Sequence, residues 1–148
     1  IEKARLSVDV VTDQGDRVSG DMFVALKGTM GGDHEEVPDV LNAPDPFFPL
    51  GTRDGRTLLC AKSRVRAVLV ASEALRTPEW EQGTPADVAI EVKGGDMYTG
   101  SILIDQASAN QRVLDYLNRV SSRFIQVATA EGTVFLNRDA IVHVEHLA

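Results

Sequence analysis

The chain repeats itself. RLSVDVVTDQGDRVSGDMFVAL, from Arg5 to Leu26, lies over DVAIEVKGGDMYTGSILI, from Asp87 to Ile104, without a gap: Val8 meets Val88, Gly15 meets Gly95, Asp16 meets Asp96 and Gly20 meets Gly100, each 80 positions apart by subtraction. Further on, Asp39 and Asn42 of DVLN recur as Asp115 and Asn118 of DYLN, 76 apart, and Phe47 and Gly55 recur as Phe124 and Gly132, 77 apart. Thr57, Leu59, Lys62, Val65 and Val68 then meet Thr133, Phe135, Arg138, Ile141 and Val144, again 76 apart. The small changes of offset fall in connections, where insertions are tolerated. A duplication of this kind ties the two halves together: whatever one copy folds into, the other must fold into as well.

Each copy opens on a period of two. Leu6, Val8 and Val10 alternate with Ser7 and Asp9, and Val88, Ile90 and Val92 alternate with Ala89, Glu91 and Lys93, the pattern of half-buried strands. QGD and GGD follow, with glycine where a tight turn needs positive φ, so each opening pair of strands is a β-hairpin returning over Arg17–Leu26 or Met97–Asp105. Gly20 and Gly100 fall inside the returning strands, where a missing side chain signals a bulge, a bend or a close backbone approach.

Short helices come next. Ser108 with Gln111 three residues on is a capping-box pattern, and Val113, Leu114, Leu117 and Val120 take helical spacing. In the first copy Asp33 with Glu36 precedes Val37, Val40 and Leu41, and Pro38 holds that helix to a turn or two. Both helices end at the Asn of LN, a residue able to close a helix in the left-handed conformation. Asp39, Asn42, Asp115 and Asn118 thus read as a structural joint made twice, just before a third strand starts at Phe47 or Phe124.

FFPLGTRDGRTLLCAKSRVRAVLV and FIQVATAEGTVFLNRDAIVHVEHL complete the copies. Asp54-Gly55 and Glu131-Gly132 mark tight turns, and the polar breaks at Lys62-Ser63 and Arg138-Asp139 mark further ones. Two strands, a short helix and three strands per copy predict a mainly β protein: a first β-rich repeat over 1–70, a partly ordered linker over 71–86 anchored by Trp80, and a second repeat over 87–148.

That succession resembles a small five-stranded barrel of the SH3 or Sm type. AIEVKGGDMYTGSI is similar to the first hairpin of Sm-like domains, DYLN to their Asp-to-Asn loop, and VFLNRDAIVHV to their closing strands. The resemblance implies two tandem Sm-like barrels, each with its helix inserted between strands two and three rather than placed at the N-terminus, and a tendency to assemble edge to edge. It does not carry RNA binding with it, since Asn137-Arg138-Asp139 and Ala61-Lys62-Ser63 stand where the family's glycine-containing RNA-binding loop would be. The chain also resembles bacterial proteins of uncharacterised families, a likeness that supplies no activity.

Function is read mainly by exclusion. A formal net charge of −7 disfavours nucleic acid and anionic membranes as partners. Locally Arg53, Arg56, Lys62, Arg64 and Arg66 crowd together as a candidate partner or phosphate patch, though no aromatic residues are interleaved for stacking. In HVEH, His143 and Glu145 fall on one strand face and His146 on the other, and Asp33, His34, Glu35 and Glu36 lack the ligand spacing of a calcium loop. Cys60 in TLLCA reads as a small buried hydrophobe. No cofactor, metal site or catalytic constellation is expected. The single cysteine and the lack of a membrane-length apolar run suit the cytoplasm. The leading expectation is a non-enzymatic protein-binding or self-assembling module. Sm-type RNA binding through Arg53–Arg66 is the alternative, and an enzyme with a site between the copies comes last.

Overall fold

The computed structural model describes residues 3–25, 36–71, 84–104 and 113–147. Asp33, His34, Glu35, Trp80, Ser108 and Gln111, with the signals read from them, lie outside the described residues. The first half runs β1 (Lys3–Thr12), β2 (Arg17–Ala25), α1 (Val37–Asn42), β3 (Phe47–Thr52), β4 (Thr57–Ala61), a 3-10 turn (Lys62–Arg64) and β5 (Val65–Val70). The second half gives the same order: β6 (Thr84–Val92), β7 (Met97–Ile104), α2 (Val113–Arg119), β8 (Phe124–Thr129), β9 (Gly132–Asn137), a 3-10 turn (Arg138–Ala140) and β10 (Ile141–His146). The third strands start at Phe47 and Phe124, as the pattern predicts, whereas β6 reaches back to Thr84, into the expected linker.

Turn chemistry sets the local geometry. Gly15 and Gly95 adopt φ of 91° and 94° at the hairpin tips, and Gly55 and Gly132 do the same in the later turns at 89° and 139°. Gly20 and Gly100 serve the other expected purpose, close approach. A Cβ at Gly20 would lie 2.6 Å from the Gly51 carbonyl oxygen, and one at Gly100 would lie 2.1 Å from that of Ala128. A side chain at either glycine would collide with the backbone of the third strand, so the close approach at these two points depends on glycine.

All pairings are antiparallel and join one ten-stranded sheet in the order β10-β6-β7-β8-β9-β5-β1-β2-β3-β4. The halves do not form separate sheets, and the sheet is not closed. In each half the 3-10 turn carries the fifth strand away from the fourth and onto the first. The fourth strand therefore keeps a free side within its own half. β9 uses that side to pair with β5, and β4 and β10 end the sheet.

Two cores result, and each borrows from the opposite half. The first, around Val10, Met22, Leu41, Leu50 and Val68, also contains Phe124 and Phe135. The second, around Val88, Ile90, Ile102, Ile125 and Leu136, also contains Val11 and Ala67. Neighbours Val10 and Val11 enter different cores, and a register irregularity in the β1–β5 pairing follows at Val11/Thr12. Among the described residues, no helix is long and apolar enough to cross a membrane.

Candidate assembly seam and free edges

Side chains fix α1 at both ends and α2 at its C-terminal end. At the start of α1 the Glu36 backbone N–H donates to Asp39 Oδ2 at 2.8 Å. At its end the Lys62 ammonium donates to the Val40 and Ala43 carbonyls at 2.7 and 3.0 Å. Lys62 is only 1 % exposed, and this desolvation lowers its pKa below the usual lysine value, against a weaker upward pull from Asp45. Arg138, 76 positions later, makes the corresponding bond from Nη1 to the Val120 carbonyl. Cations at helix C-termini meet both the unpaired carbonyls and the negative end of the helix dipole.

Because cations close the helices, the asparagines serve other ends. Among the described residues no residue other than glycine has positive φ, so Asn42 does not take the left-handed closing conformation expected of it. Its Oδ1 instead accepts the Phe124 N–H at 2.8 Å, tying the end of α1 to the start of β8 in the other half. Asn137 adds a second polar tie: its Nδ2 donates to the Lys62 and Val65 carbonyls at 3.1 and 2.9 Å, and its Oδ1 accepts the Asp139 N–H at 3.0 Å. Asp115 is half-buried on α2 and Asn118 is exposed there. The sequence pattern does not single out Asn137 for this role, and a polar residue ending the apolar run TVFL is the signal it offers.

The basic residues divide into separate settings. Arg53 and Arg56 are exposed at the β3–β4 turn, with Arg56 Nε 3.0 Å from Asp54 Oδ2. Arg64 and Arg66 gather on the β1–β2 turn: Arg64 Nη1 lies 3.0 Å from Asp13 Oδ2, and Arg66 Nη2 donates to the Asp13 carbonyl at 2.6 Å. Lys62 stands apart from both groups, buried under α1.

An open groove of about 770 Å3 lies where the halves meet, bordered by Asp9, Arg17, Asp96, Tyr98 and Glu131. Hydrogen bonds from Ser19 and then Arg17 hold the Asp9 carboxyl below its ordinary pKa, so it stays an anion rather than a proton donor. Burial pushes the Tyr98 hydroxyl up, and the groove lining holds neither histidine nor cysteine. His143 Nε2 lies 3.4 Å from Glu91 Oε1, and among the described residues no three potential ligands cluster in a metal-binding arrangement. Cys60 is half-buried, and burial raises its thiol pKa away from the reactive thiolate.

The sheet ends carry the sharpest contrast. Phe124 and Phe135 are 2 % and 0 % exposed inside the first core, whereas their counterparts Phe47 and Leu59, on β3 and β4, are 55 % and 70 % exposed. Val142 on β10 is likewise exposed. Compared with protein-family models, with curated proteins and with solved structures, the chain matches none of them significantly.

Proposed function

We propose that this chain is a non-enzymatic protein-binding or assembly module, in which two small units of SH3 or Sm type act as a pseudo-dimer and the free strand edges meet protein partners. One observation carries the reading. β9 pairs with β5 inside the chain, while β4 and β10 end the sheet, with large apolar side chains exposed at Phe47, Leu59 and Val142. A strand at the end of a sheet offers a row of unpaired backbone groups, and an added strand takes main-chain hydrogen bonds there. Charged side chains or proline commonly guard such an edge, yet β4 reads TLLCA and has neither.

The test is affinity capture with the tagged full chain, comparing wild type with Leu59→Lys on β4 and Val144→Lys on β10, each first shown to be folded by circular dichroism. Proteins retained by the wild type are expected to be lost from one or both variants. Retention of the same set by all three chains overturns edge binding.

A further inference from the structure

We infer that the partner of these edges is a second copy of the chain, joined head to tail by repeating between molecules the seam that β5 and β9 make within one. The inference rests on the edge-binding reading above and adds the partner and the register. In the internal seam Ala67, Val68, Leu69 and Val70 stand opposite Leu136, Phe135, Val134 and Thr133. The 76-residue equivalence moves the first strand onto β10 and the second onto β4. It sets His143 opposite Cys60, Val144 opposite Leu59, Glu145 opposite Leu58 and His146 opposite Thr57 of the neighbouring molecule.

Both sides of this second seam show what the first one covers. In the first half Leu41, Val65 and Val68 are fully buried, because Phe124 and Phe135 of the second half complete their core. Their equivalents Leu117, Ile141 and Val144 pack against the second core but stay only half-buried. The side chains that would cover them are the equivalents of Phe124 and Phe135, namely Phe47 and Leu59, which stand exposed on β3 and β4. An uncovered core margin at one end of the sheet therefore matches uncovered apolar side chains at the other. Asn118 fits the same scheme. It is exposed on α2 at the position from which Asn42 accepts the Phe124 N–H, so between molecules it would accept the Phe47 N–H.

The intermolecular seam is the weaker of the two. Ala61 stands where Asn137 makes its pair of bonds, and β10 presents His143, Glu145 and His146 where β5 has Ala67, Leu69 and Val70. Reversible association follows. Because the two edges differ, the contact is heterologous, and copies add in one direction into a ring or an open row.

Sedimentation velocity on the full chain across a concentration series tests the partner. Wild type is expected to gain mass with concentration, Leu59→Lys and Val144→Lys each to stay monomeric, and their equimolar mixture to form a dimer, since each variant keeps the edge the other lacks. A Leu59→Lys or Val144→Lys chain that still dimerises alone overturns the head-to-tail arrangement. The register has its own test, which does not depend on those variants folding: His143→Cys should oxidise to an intermolecular disulfide with Cys60, and the bond should vanish in His143→Cys/Cys60→Ser. Absence of that disulfide overturns the register. A wild type that is monomeric at every concentration overturns self-partnering, while edge-dependent capture of other proteins would then leave the function proposed above intact.

Discussion

The Asn42 side-chain oxygen accepts the backbone N–H of Phe124 at 2.8 Å, across 82 residues of sequence. This bond joins the end of a helix in one half to the first residue of a strand in the other, beside the buried ring of Phe124. Replacing Asn42 with Ala leaves a part-buried N–H without its partner, a loss of about 1–3 kcal/mol. Urea unfolding is expected to show that loss for Asn42→Ala and almost none for Asn118→Ala, whose side chain is exposed.

Phe135 and Leu59 hold equivalent positions and are expected to respond oppositely to truncation. Phe135 lies in the first core opposite Val68, so Phe135→Ala should cost about 3–5 kcal/mol. Leu59 is solvent-exposed, and Leu59→Ala in dilute solution should stay within about 0.5 kcal/mol of wild type. Equal effects on the unfolding midpoint would contradict the seam.

Gly20 and Gly100 face backbone, which cannot give way as a flexible side chain can. Alanine at either should destabilise by about 1–3 kcal/mol, in the range of overpacked sites. Gly100→Ala is expected to be the worse, since its Cβ would approach the Ala128 oxygen more closely than that of Gly20 approaches Gly51. Thermal unfolding of the two variants gives the order directly.

Much of this architecture was legible in the sequence, because strands and turns are specified locally. Period-two alternation in SVDVV and AIEV gave the hairpins, the glycines gave the turns, and Phe47 and Phe124 marked the third strands where the structure has them. Single strands do not announce which edge they will meet. TVFLN could be read as a strand, but burial of Val134, Phe135 and Leu136 on both faces follows only from β5 lying beside β9. For the same reason two tandem small barrels are as far as the sequence pattern reaches, and the one open sheet that runs through both halves is not foretold by it. Lys62 taught the converse lesson. Among arginines it looked like one more surface cation, and only the position of the α1 C-terminus shows why an ammonium is buried there.

Lys62 also gives the fold a distinct alkaline signature. Desolvation lowers its pKa in the folded protein below the unfolded value of 10.5, so between the two values the unfolded chain binds more protons than the folded one. Stability contributed by this group therefore rises with pH through that window. The penalty for charging Lys62 is fully present below the folded pKa and is relieved as pH approaches 10.5. Tyr98 and Tyr116, raised by burial from 10.0, act in the opposite sense from about pH 10 upward and so overlap the top of that window, which makes a comparison with a variant more telling than the wild-type curve alone. Lys62→Met keeps the length of the stem and removes the titration, along with two bonds to the carbonyls of α1. It should be less stable than wild type near neutral pH by about 1–3 kcal/mol, the cost of leaving buried polar groups unpaired. The difference between the two proteins should widen as pH rises toward 10.5, because wild type alone gains from losing the proton. Denaturant midpoints measured for both chains from neutral to alkaline pH check this, and a gap that narrows over the window would show that the folded site raises the lysine pKa instead.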